Sequence, residues 1–539
     1  MTRLRYGLAL VIVGFAAFIT FRTHAFFLEP KGVLVGFDER YLAPFGLRML
    51  DGLALPYVDA VSHRGPLLYW MVALFQRIVG PYTWSSLRWL SVVSTGLTIA
   101  ACFAVGMAAR KPLAGALGGL FFAYLVTAVL EPGAGIGVNG ELVAAPFGIA
   151  ALAFVTWGLE RARPRFIPFW LVLGGIAAGC AGMAKQTSFG AIAPLVVWVA
   201  LASWALGRSA ARGLVALLGG WLLPIVATLA VYAARGYLTT FWYWFCGYNA
   251  RIYMEPYPQS EVVRLFFEGV NREPFLVLAV VFPIVLGIAR PLSGSASLSL
   301  KEFARSCHPH GLEATLAWTT AFTMFAACTP LRFWPHYFIA AIAYLSLLVG
   351  FHIEGFIGRA TSPSRVAAHA LVAIALIGWF GQGHLQRIEF LEGQRNKGHF
   401  TDQRRNPICD VVHEHSKPGD YLFIWGFDGD FYVDCRRKPA SRFVFTTFVA
   451  GVLAPFWKES KPTRVVPGAP ELLEADLRAT KPPVILDFRH TLANVSMHDV
   501  PQLGRFLDEA YCLRGDVRAK GRVAGVWVRK KEGEECQRR

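Results

Sequence analysis

The chain has 539 residues, of which 55% are apolar and only 17% are charged. Soluble domains carry about 25% charged residues, so this composition excludes an ordinary soluble protein and indicates a polytopic α-helical membrane protein. The formal net charge is +17. In a membrane protein such an excess is typical of short basic cytoplasmic loops and of contact with anionic membrane lipids. No nucleic-acid motif and no basic patch interleaved with aromatic residues stands out, so we expect no nucleic-acid partner.

The first apolar run covers residues 6–28 and follows Arg3 and Arg5. A helix that crosses a bilayer needs roughly 20 residues, and this run is long enough. The alternative is a cleaved signal peptide, but the run lacks a convincing small-x-small cleavage site and leads into many further apolar runs. We therefore predict an uncleaved signal anchor.

Apolar runs predict about eleven transmembrane helices in all. After the first run, they lie near 87–109, 113–130, 141–158, 167–183, 187–206, 213–233, 274–290, 312–330, 335–351 and 365–381. A shorter run at 67–80 follows Pro66. It predicts a re-entrant or interfacial helix at the end of a long first outer loop, 29–86.

Basic residues indicate which connections face the cytoplasm. They fall in alternate connections, at Arg3 and Arg5, Arg110 and Lys111, Arg161 to Arg165, Arg208 and Arg212, Arg290 to Arg305, and Arg359 and Arg365. The positive-inside rule predicts that these connections and the N-terminus are cytoplasmic. The first loop and the segment after residue 381 are then on the outer face.

The last part of the chain has the composition of a soluble domain. Predicted strands lie at Tyr421 to Trp425, Phe443 to Phe448, Val484 to Phe488 and Ala524 to Val528, and helical spacing occurs at 471–480 and 502–511. We therefore predict two domains. The first is a transmembrane domain, 1–381, and the second is an extracytoplasmic α/β domain, 382–539.

Nine cysteines occur without a Cys-x-x-Cys pair, so no zinc or redox motif is visible. Four of them lie in the predicted outer domain: Cys409, Cys435, Cys512 and Cys536. Outside the cytoplasm these four can form one or two disulfides. The spacing does not fix their pairing.

Two adjacent acids, Asp38 and Glu39, follow the first apolar run. Such acids are often only solvated loop residues. Here Phe37 and Tyr41 flank them, and the next thirty residues are dense in Gly, Pro and aromatic residues, which is typical of an ordered loop. A carboxylate in a partly dry site can act as a general base toward a hydroxyl or amine. Two carboxylates do not define a metal site, although they are able to hold a divalent cation.

Four cationic or ionisable residues lie at outer boundaries of apolar runs: Arg64, Lys185, Arg332 and His336. Snorkelling of Lys185 and an interfacial aromatic belt around Arg332 are the alternative interpretations. The positive-inside rule, however, leaves this excess of cations on the outer side unexplained. Together they suit a phosphate or pyrophosphate, which Arg binds through forked hydrogen bonds and Lys through its point charge.

Further polar residues in the outer segments are candidate substrate contacts. Glu141 begins the span after the second outer loop, where it either favours the helix dipole or faces the same cavity as Asp38. The stretch from Tyr248 through Asn249 and Arg251 is aromatic and amphipathic, so it is either an interfacial anchor or a contact for acceptor or sugar. Neither a phosphate-binding loop, nor a zinc-protease motif, nor a nucleophile elbow stands out.

These motifs, in this order, resemble those of the GT-C membrane glycosyltransferases, specifically the bacterial group related to protein O-mannosyltransferases and the lipid A aminoarabinose transferase. The matching motifs are Asp38-Glu39, Gly52 to Asp59, Arg64-Gly65-Pro66-Leu67, Asn139 with Glu141, Lys185-Gln186, Arg332 to Tyr337, and the segments from Pro418 to Gly426 and from Tyr432 to Arg442. The resemblance covers essentially the whole membrane part.

The resemblance implies a polyprenyl-phosphate-linked sugar donor and transfer of a hexose or pentose at the outer face of the bacterial inner membrane. Asp38 would be the general base, with Glu39 beside it. Arg64, Lys185, Arg332 and His336 would bind the donor phosphate, and Asp59, Glu141, Tyr248, Asn249, Arg251 and Tyr337 would line the pocket. The acceptor, whether a lipid, a glycan or a protein, does not follow from the resemblance.

The alternative function is a transporter or flippase for a lipid-linked glycan. A transporter places ionisable residues near the middle of its spans, often on broken helices. Here the notable ionisable residues cluster at outer ends and in loops, which favours the enzyme. A third possibility is a membrane-anchored binding protein that works through its C-terminal domain, in which case the acids of the first loop would be dispensable.

Overall fold

The structure is a computed structural model of the chain. It describes residues 2–28, 38–52, 54–255, 259–272, 311–330, 333–358, 364–396, 406–453, 458–519, 521–532 and 534–536. The predicted span at 274–290 and the candidate site residue Arg332 lie outside the described residues.

Helices dominate the described chain. The α-helices are Thr2–Leu28, Glu39–Arg48, Pro66–Val79, Ser85–Ala108, Pro112–Tyr124, Pro132–Gly135, Gly140–Glu160, Ile167–Ala184, Ile192–Ala205, Ala210–Ala234, Leu238–Trp242, Gln259–Arg272, Gly311–Cys328, Ile339–Gly358, Ser364–Asn396, Pro407–His415, Asp430–Asp434, Thr447–Ala450, Ala469–Thr480 and Pro501–Ala510. Wider π-helical turns occur at Leu125–Val129, Tyr243–Gly247 and Asn249–Tyr253. Such turns are frequent at functional sites.

Within the described residues, eight helices are long and apolar enough to cross a membrane. They are Arg5–Ala25, Ser85–Ala108, Pro112–Val129, Gly140–Glu160, Pro164–Ala184, Gln186–Ala205, Ala210–Ala234 and Pro335–Phe356. The predicted spans at 312–330 and 365–381 coincide with the helices Gly311–Cys328 and Ser364–Asn396. The predicted short helix after Pro66 is the 14-residue helix Pro66–Val79. The prediction of a polytopic helical membrane protein is thus confirmed.

The chain forms two compact units, and both are discontinuous in sequence. The membrane unit comprises Met1–Phe26, Ser91–Arg235 and Pro256–Lys397. The loop–tail unit comprises Phe27–Leu90, Gly236–Glu255 and Gly398–Arg539, so it joins the first loop to the C-terminal part. The division into domains 1–381 and 382–539 stays a prediction.

Glycines let helices of the membrane unit approach closely. Helices Ile167–Ala184 and Ala210–Ala234 meet where Gly175 faces the backbone oxygen of Leu217 and Gly220 faces that of Val172. A Cβ atom at either glycine would overlap the opposing backbone. Small residues at helix contacts are typical of membrane proteins, where close van der Waals packing replaces the hydrophobic effect.

The loop–tail unit contains a five-stranded sheet with the order β2-β1-β3-β5-β4. The strands are β1 Tyr421–Trp425, β2 Lys438–Pro439, β3 Val484–Asp487, β4 Tyr511–Ala519 and β5 Arg522–Arg529. β1 pairs in parallel with β2 and β3, in register Leu422 to Val484, whereas β3–β5 and β5–β4 are antiparallel. The predicted strands at 421–425, 484–488 and 524–528 are therefore confirmed.

The predicted strand from Phe443 to Phe448 is wrong. The segment contains turns and the start of the short helix Thr447–Ala450, and its aromatic side chains enter a ring cluster instead of a sheet. Two disulfides, Cys409–Cys435 and Cys512–Cys536, link the four cysteines of the C-terminal part. The sequence left this pairing open.

Candidate functional site in the first loop and the membrane helices

The first-loop helix, Glu39–Arg48, begins directly after Asp38. Its apolar face is buried through Leu42, Phe45 and Leu47. Gln76 donates to the carbonyl of Ala43 over 2.9 Å, which holds this helix against Pro66–Val79. A carboxylate at a helix N-terminus is favoured by the helix dipole. The local fold therefore places Asp38 at the N-terminus of a largely buried helix that packs against Pro66–Val79.

Asp38 pairs with Arg64, and both side chains are largely buried. Arg64 Nη2 donates to Asp38 Oδ1 over 2.8 Å, and the two residues are 8% and 7% exposed. The Arg64 guanidinium also lies 4.4 Å from the ring centre of Tyr41. The hydroxyl of Tyr57 donates to the backbone carbonyl of Arg64. Two candidate residues far apart in sequence are thus brought together.

Glu39 is placed quite differently from its neighbour. Both of its carboxylate oxygens accept hydrogen bonds from Arg88, the second of them from Nη2 over 2.7 Å. Glu39 is 0% and Arg88 is 1% exposed. Sequence reasoning missed Arg88, although an arginine inside an apolar run is a recognisable signal because an isolated charge is costly there.

Asp59 shapes the turn that precedes Arg64. Its carboxylate accepts the backbone N–H of Leu55 over 2.7 Å, and its carbonyl accepts from Arg48 Nε over 3.1 Å. Tyr57, inside this turn, has a φ of 70°, which is unusual for a residue with a side chain. The observed contacts of Asp59 are those of a residue that fixes the loop.

An aromatic cluster surrounds the next set of candidates. The ring centre of His63 lies 4.3 Å from that of Tyr253 and 5.5 Å from that of Tyr248. Tyr248 in turn lies 5.2 Å from Phe448, and Asn249 Nδ2 donates to the carbonyl of His63 over 2.8 Å. Tyr248 is buried.

The end of this segment is tied to the C-terminal part by charge. Arg251 is exposed. Glu255 accepts hydrogen bonds from Arg464 Nε over 2.6 Å and from Lys461 over 3.3 Å. The hydrogen bonds from Arg464 hold the pKa of Glu255 below its usual range. Three stretches of the chain therefore converge within the loop–tail unit.

The membrane unit holds a second pair of candidates, Lys185 and Glu141. Lys185 Nζ lies 2.8 Å from Glu141 Oε1 and 4.8 Å from the ring centre of Tyr337. Glu141 lies in the first turn of Gly140–Glu160, whose N-cap Asn139 accepts the N–H of Leu142 over 2.8 Å. Lys185 follows the end of the helix Ile167–Ala184. The capped helix start and the helix end thus bring the two charges together.

His336 adjoins this pair through its neighbour in sequence. It lies in the short 3₁₀ turn Pro335–Phe338, with its ring centre 4.7 Å from that of Tyr337. The described residues bring together no group of three or more His, Cys, Asp or Glu side chains able to hold a metal ion. The described contacts of Asp38 and Glu39 include hydrogen bonds from Arg64 and Arg88, respectively.

The fold is similar to that of ArnT, the lipid A aminoarabinose transferase, from Cupriavidus metallidurans. The match to the ArnT crystal structure bound to undecaprenyl phosphate has a TM-score of 0.59 at 16% identity. It covers 96% of this chain and 98% of the ArnT chain. The apo structure has a TM-score of 0.54 at 16% identity, with coverage of 97% and 98%. An Archaeoglobus fulgidus oligosaccharyltransferase tethered with an acceptor peptide gives 0.46 at 14% identity, with coverage of 97% and 74%.

No family model matches the chain, and no curated protein matches it in sequence. The two ArnT structures are matched over nearly their whole length, so the likeness concerns the complete architecture and not a single helix bundle. The chain thus has the fold of the GT-C membrane glycosyltransferases, and the resemblance predicted from its sequence motifs is confirmed.

Proposed function

We propose that the protein is an integral membrane glycosyltransferase that moves a sugar from a polyprenyl-phosphate-linked donor to an acceptor at the outer face of the bacterial cytoplasmic membrane. The observation that carries the proposal is the buried Asp38–Arg64 pair in the first loop of a chain with the GT-C fold. The donor class is suggested by the similar fold of ArnT bound to undecaprenyl phosphate. The transferred sugar is a hexose or pentose, and the acceptor is a lipid, a glycan or a protein.

In this proposal Asp38 is the general base. Its carboxylate takes the proton from a hydroxyl or amine of the acceptor, whose lone pair then attacks the anomeric carbon of the donor. The bond between that carbon and the phosphate oxygen breaks, and the electron pair leaves with the polyprenyl phosphate. Arg64 orients the carboxylate through the 2.8 Å hydrogen bond and keeps it beside a positive charge. Glu39 contributes by fixing the helix start through Arg88.

The leaving phosphate requires cations, because its negative charge grows as the sugar departs. We assign this role to Lys185, Arg332 and His336, with Arg64 as a further donor. A guanidinium has five N–H donors, so Arg64 is able to hold Asp38 and a phosphate oxygen together. Glu141 and Tyr337 hold Lys185 in place by charge and by ring contact.

The remaining candidates belong to the substrate pocket in this proposal. Tyr248 is buried against His63 and Phe448 and supports the pocket wall from behind, and Asn249 orders the loop through its hydrogen bond to the carbonyl of His63. Arg251 is exposed and is therefore accessible to an acceptor. Asp59 supports the loop that carries Arg64.

The test is sugar transfer by the purified full-length protein with a panel of polyprenyl-phosphate sugars, comparing wild type with Asp38→Asn. We expect the rate to fall by at least about a hundredfold, which is the low end for removal of a general base. The substitution keeps the size of the side chain, so binding of the donor should be retained.

Asp51→Asn is the matched control. Asp51 lies in the same loop, is paired with a lysine, and its side chain is 59% exposed, so we expect transfer within about twofold of wild type because exposed ion pairs contribute little. Undiminished transfer by Asp38→Asn would remove the catalytic assignment. Lipid flipping without transfer of any sugar would favour the transporter instead.

A further inference from the structure

The loop–tail unit contains a continuous line of contacts from its C-terminal part to the proposed base. The ring of Phe445 lies 5.4 Å from that of Tyr41. Tyr41 lies beneath the Arg64 guanidinium at 4.4 Å, and Arg64 donates to Asp38 over 2.8 Å. Each contact joins different stretches of the loop–tail unit.

The C-terminal end of this line is itself held in place. Phe445 contacts Phe427 edge to face at 4.2 Å. The N–H of Phe427 donates to Thr491 Oγ1 over 3.1 Å, and the N–H of Gly426 donates to Thr446 Oγ1 over 2.9 Å. The loop after β1 therefore supports Phe445 through the ring of Phe427 and the hydroxyl of Thr446, and a positioning group requires such support.

A second contact reaches the first-loop helix one residue earlier. Gly429 lies so close to Arg40 that a Cβ atom added at Gly429 would overlap the backbone oxygen of Arg40. The added Cβ atom would also lie 3.1 Å from Pro44 Cγ. The φ of Gly429 is −61°, so alanine is compatible with the backbone and only the close approach excludes it. Arg522 fixes the residues on either side, with Nη1 3.1 Å from Asp428 and 2.6 Å from Asp430.

We propose that Phe445 and Gly429 of the C-terminal part are positioning residues for catalysis, because they hold the start of the first-loop helix and, through Tyr41 and Arg64, the carboxylate of Asp38. The C-terminal part is then a component of the catalytic centre and not an appended module. The inference rests on the proposed role of Asp38. Neither residue touches substrate in this assignment.

The experiment measures transfer by full-length Phe445→Ala at saturating donor and acceptor. Removing the ring frees Tyr41 on one side, so the carboxylate loses its fixed orientation. Misplacement of a reacting group by about 1 Å costs about a hundredfold. We expect kcat to fall about tenfold or more, with the disulfide-linked C-terminal part still folded by protease resistance.

Phe506→Ala is the matched control. Phe506 contacts Tyr511 at 5.6 Å and lies 5.0 Å from the Arg478 guanidinium, so it makes the same kinds of contact far along the chain. We expect its kcat within about twofold of wild type wherever the variant is folded. An equal loss for both variants would mean general destabilisation and would overturn the inference.

The Asp38→Asn background separates positioning from structure. A residue that acts through Asp38 should add little to the loss already caused by that substitution, whereas a structural effect multiplies with it. The inference is therefore overturned if the double variant loses the full product of the rate losses of Phe445→Ala and Asp38→Asn. If Phe445→Ala yields no folded protein, Gly429→Ala is measured in the same way, with the same expectations.

The proposed function and this inference fail differently. If Asp38→Asn transfers sugar like wild type, the catalytic assignment is wrong and the positioning role falls with it. If Asp38→Asn is inactive while Phe445→Ala and Gly429→Ala keep full activity, only the positioning role is wrong.

Discussion

Two adjacent acids differ because their partners differ. Glu39 is 0% exposed and faces Arg88 through both oxygens, a geometry that completes a buried ion pair. One carboxylate oxygen of Asp38, Oδ1, accepts a hydrogen bond from Arg64 over 2.8 Å. Breaking a buried pair costs about 3–5 kcal/mol because one charge is left behind, whereas replacing both members can be neutral. Glu39 therefore anchors the start of the first-loop helix through Arg88, whereas Asp38 is held by Arg64.

This contrast predicts that Arg88→Met destabilises the protein by about 3–5 kcal/mol and that Arg88→Met with Glu39→Leu recovers most of the loss. Chemical denaturation of the purified protein measures both. Arg264→Met is the control, because Arg264 also contacts two glutamates but its side chain is 52% exposed. An equal loss for the single and double variants would contradict the interpretation of a buried pair.

Lys185 carries a prediction about donor binding. Lys185→Met should raise the KM for the polyprenyl-phosphate sugar about tenfold to a hundredfold, because a hydrogen bond to a charged group contributes about 1.5–3 kcal/mol. Lys111→Met is the matched control, since Lys111 also pairs with a glutamate at 3.1 Å and lies 5.2 Å from a phenylalanine ring. An unchanged KM in Lys185→Met would count against the phosphate role.

At the scale of elements, neighbouring glycines allow a direct comparison of helix packing. Gly220 faces the backbone of Val172, whereas nothing lies within 4 Å of a Cβ atom at Gly219. We expect Gly220→Leu to lower the melting temperature of the purified protein markedly, because overpacking costs about 1–3 kcal/mol or more. Gly219→Leu should melt like wild type. Equal melting temperatures for the two variants would contradict the observed helix contact.

The elements that the sequence predicted correctly are those with a local signal. Apolar runs of span length and the buried strand Val484–Asp487 stand out in the sequence. Both the membrane lipid and the protein core favour apolar side chains along the length of such segments. The strand Tyr511–Ala519 escaped prediction, because it is a largely exposed edge strand with Arg514, Asp516 and Arg518 in alternation. Phe443 to Phe448 gave the opposite error, since aromatic residues that fill a ring cluster resemble a strand in sequence.

At the scale of the whole molecule, the sequence could supply the candidate residues but not their pairing. Arg64 was expected at a phosphate, and the structure adds its contact with Asp38, 26 residues away. Arg88 was hidden in an apolar run, and the joining of the first loop with the C-terminal part depends on contacts such as Tyr41 with Phe445. Such long-range contacts leave no periodic pattern, so hydropathy and spacing cannot reveal them.

The stability of the loop–tail unit should depend on pH through Asp487. Burial raises the pKa of this carboxyl to about 6 from its ordinary value of 3.8. The folded state therefore binds more protons between pH 4 and 6, and its stability falls as pH rises through that window. One pKa unit corresponds to 1.36 kcal/mol, so the loss is about 3 kcal/mol above pH 6.

Asp487→Asn should abolish this dependence, because asparagine resembles the protonated acid at every pH. Hydrogen exchange of β3 peptides in the full-length protein, with variant and wild type compared at the same pH, measures the difference without interference from the intrinsic exchange rate. We expect the two proteins to be similar near pH 4 and the variant to be better protected at pH 7.5. Asp508→Asn is the control, because the Asp508 side chain is 74% exposed, and it should match wild type at both pH values. A constant difference between Asp487→Asn and wild type would show that Asp487 does not titrate in this window, and the stability of the unit would then depend on other groups.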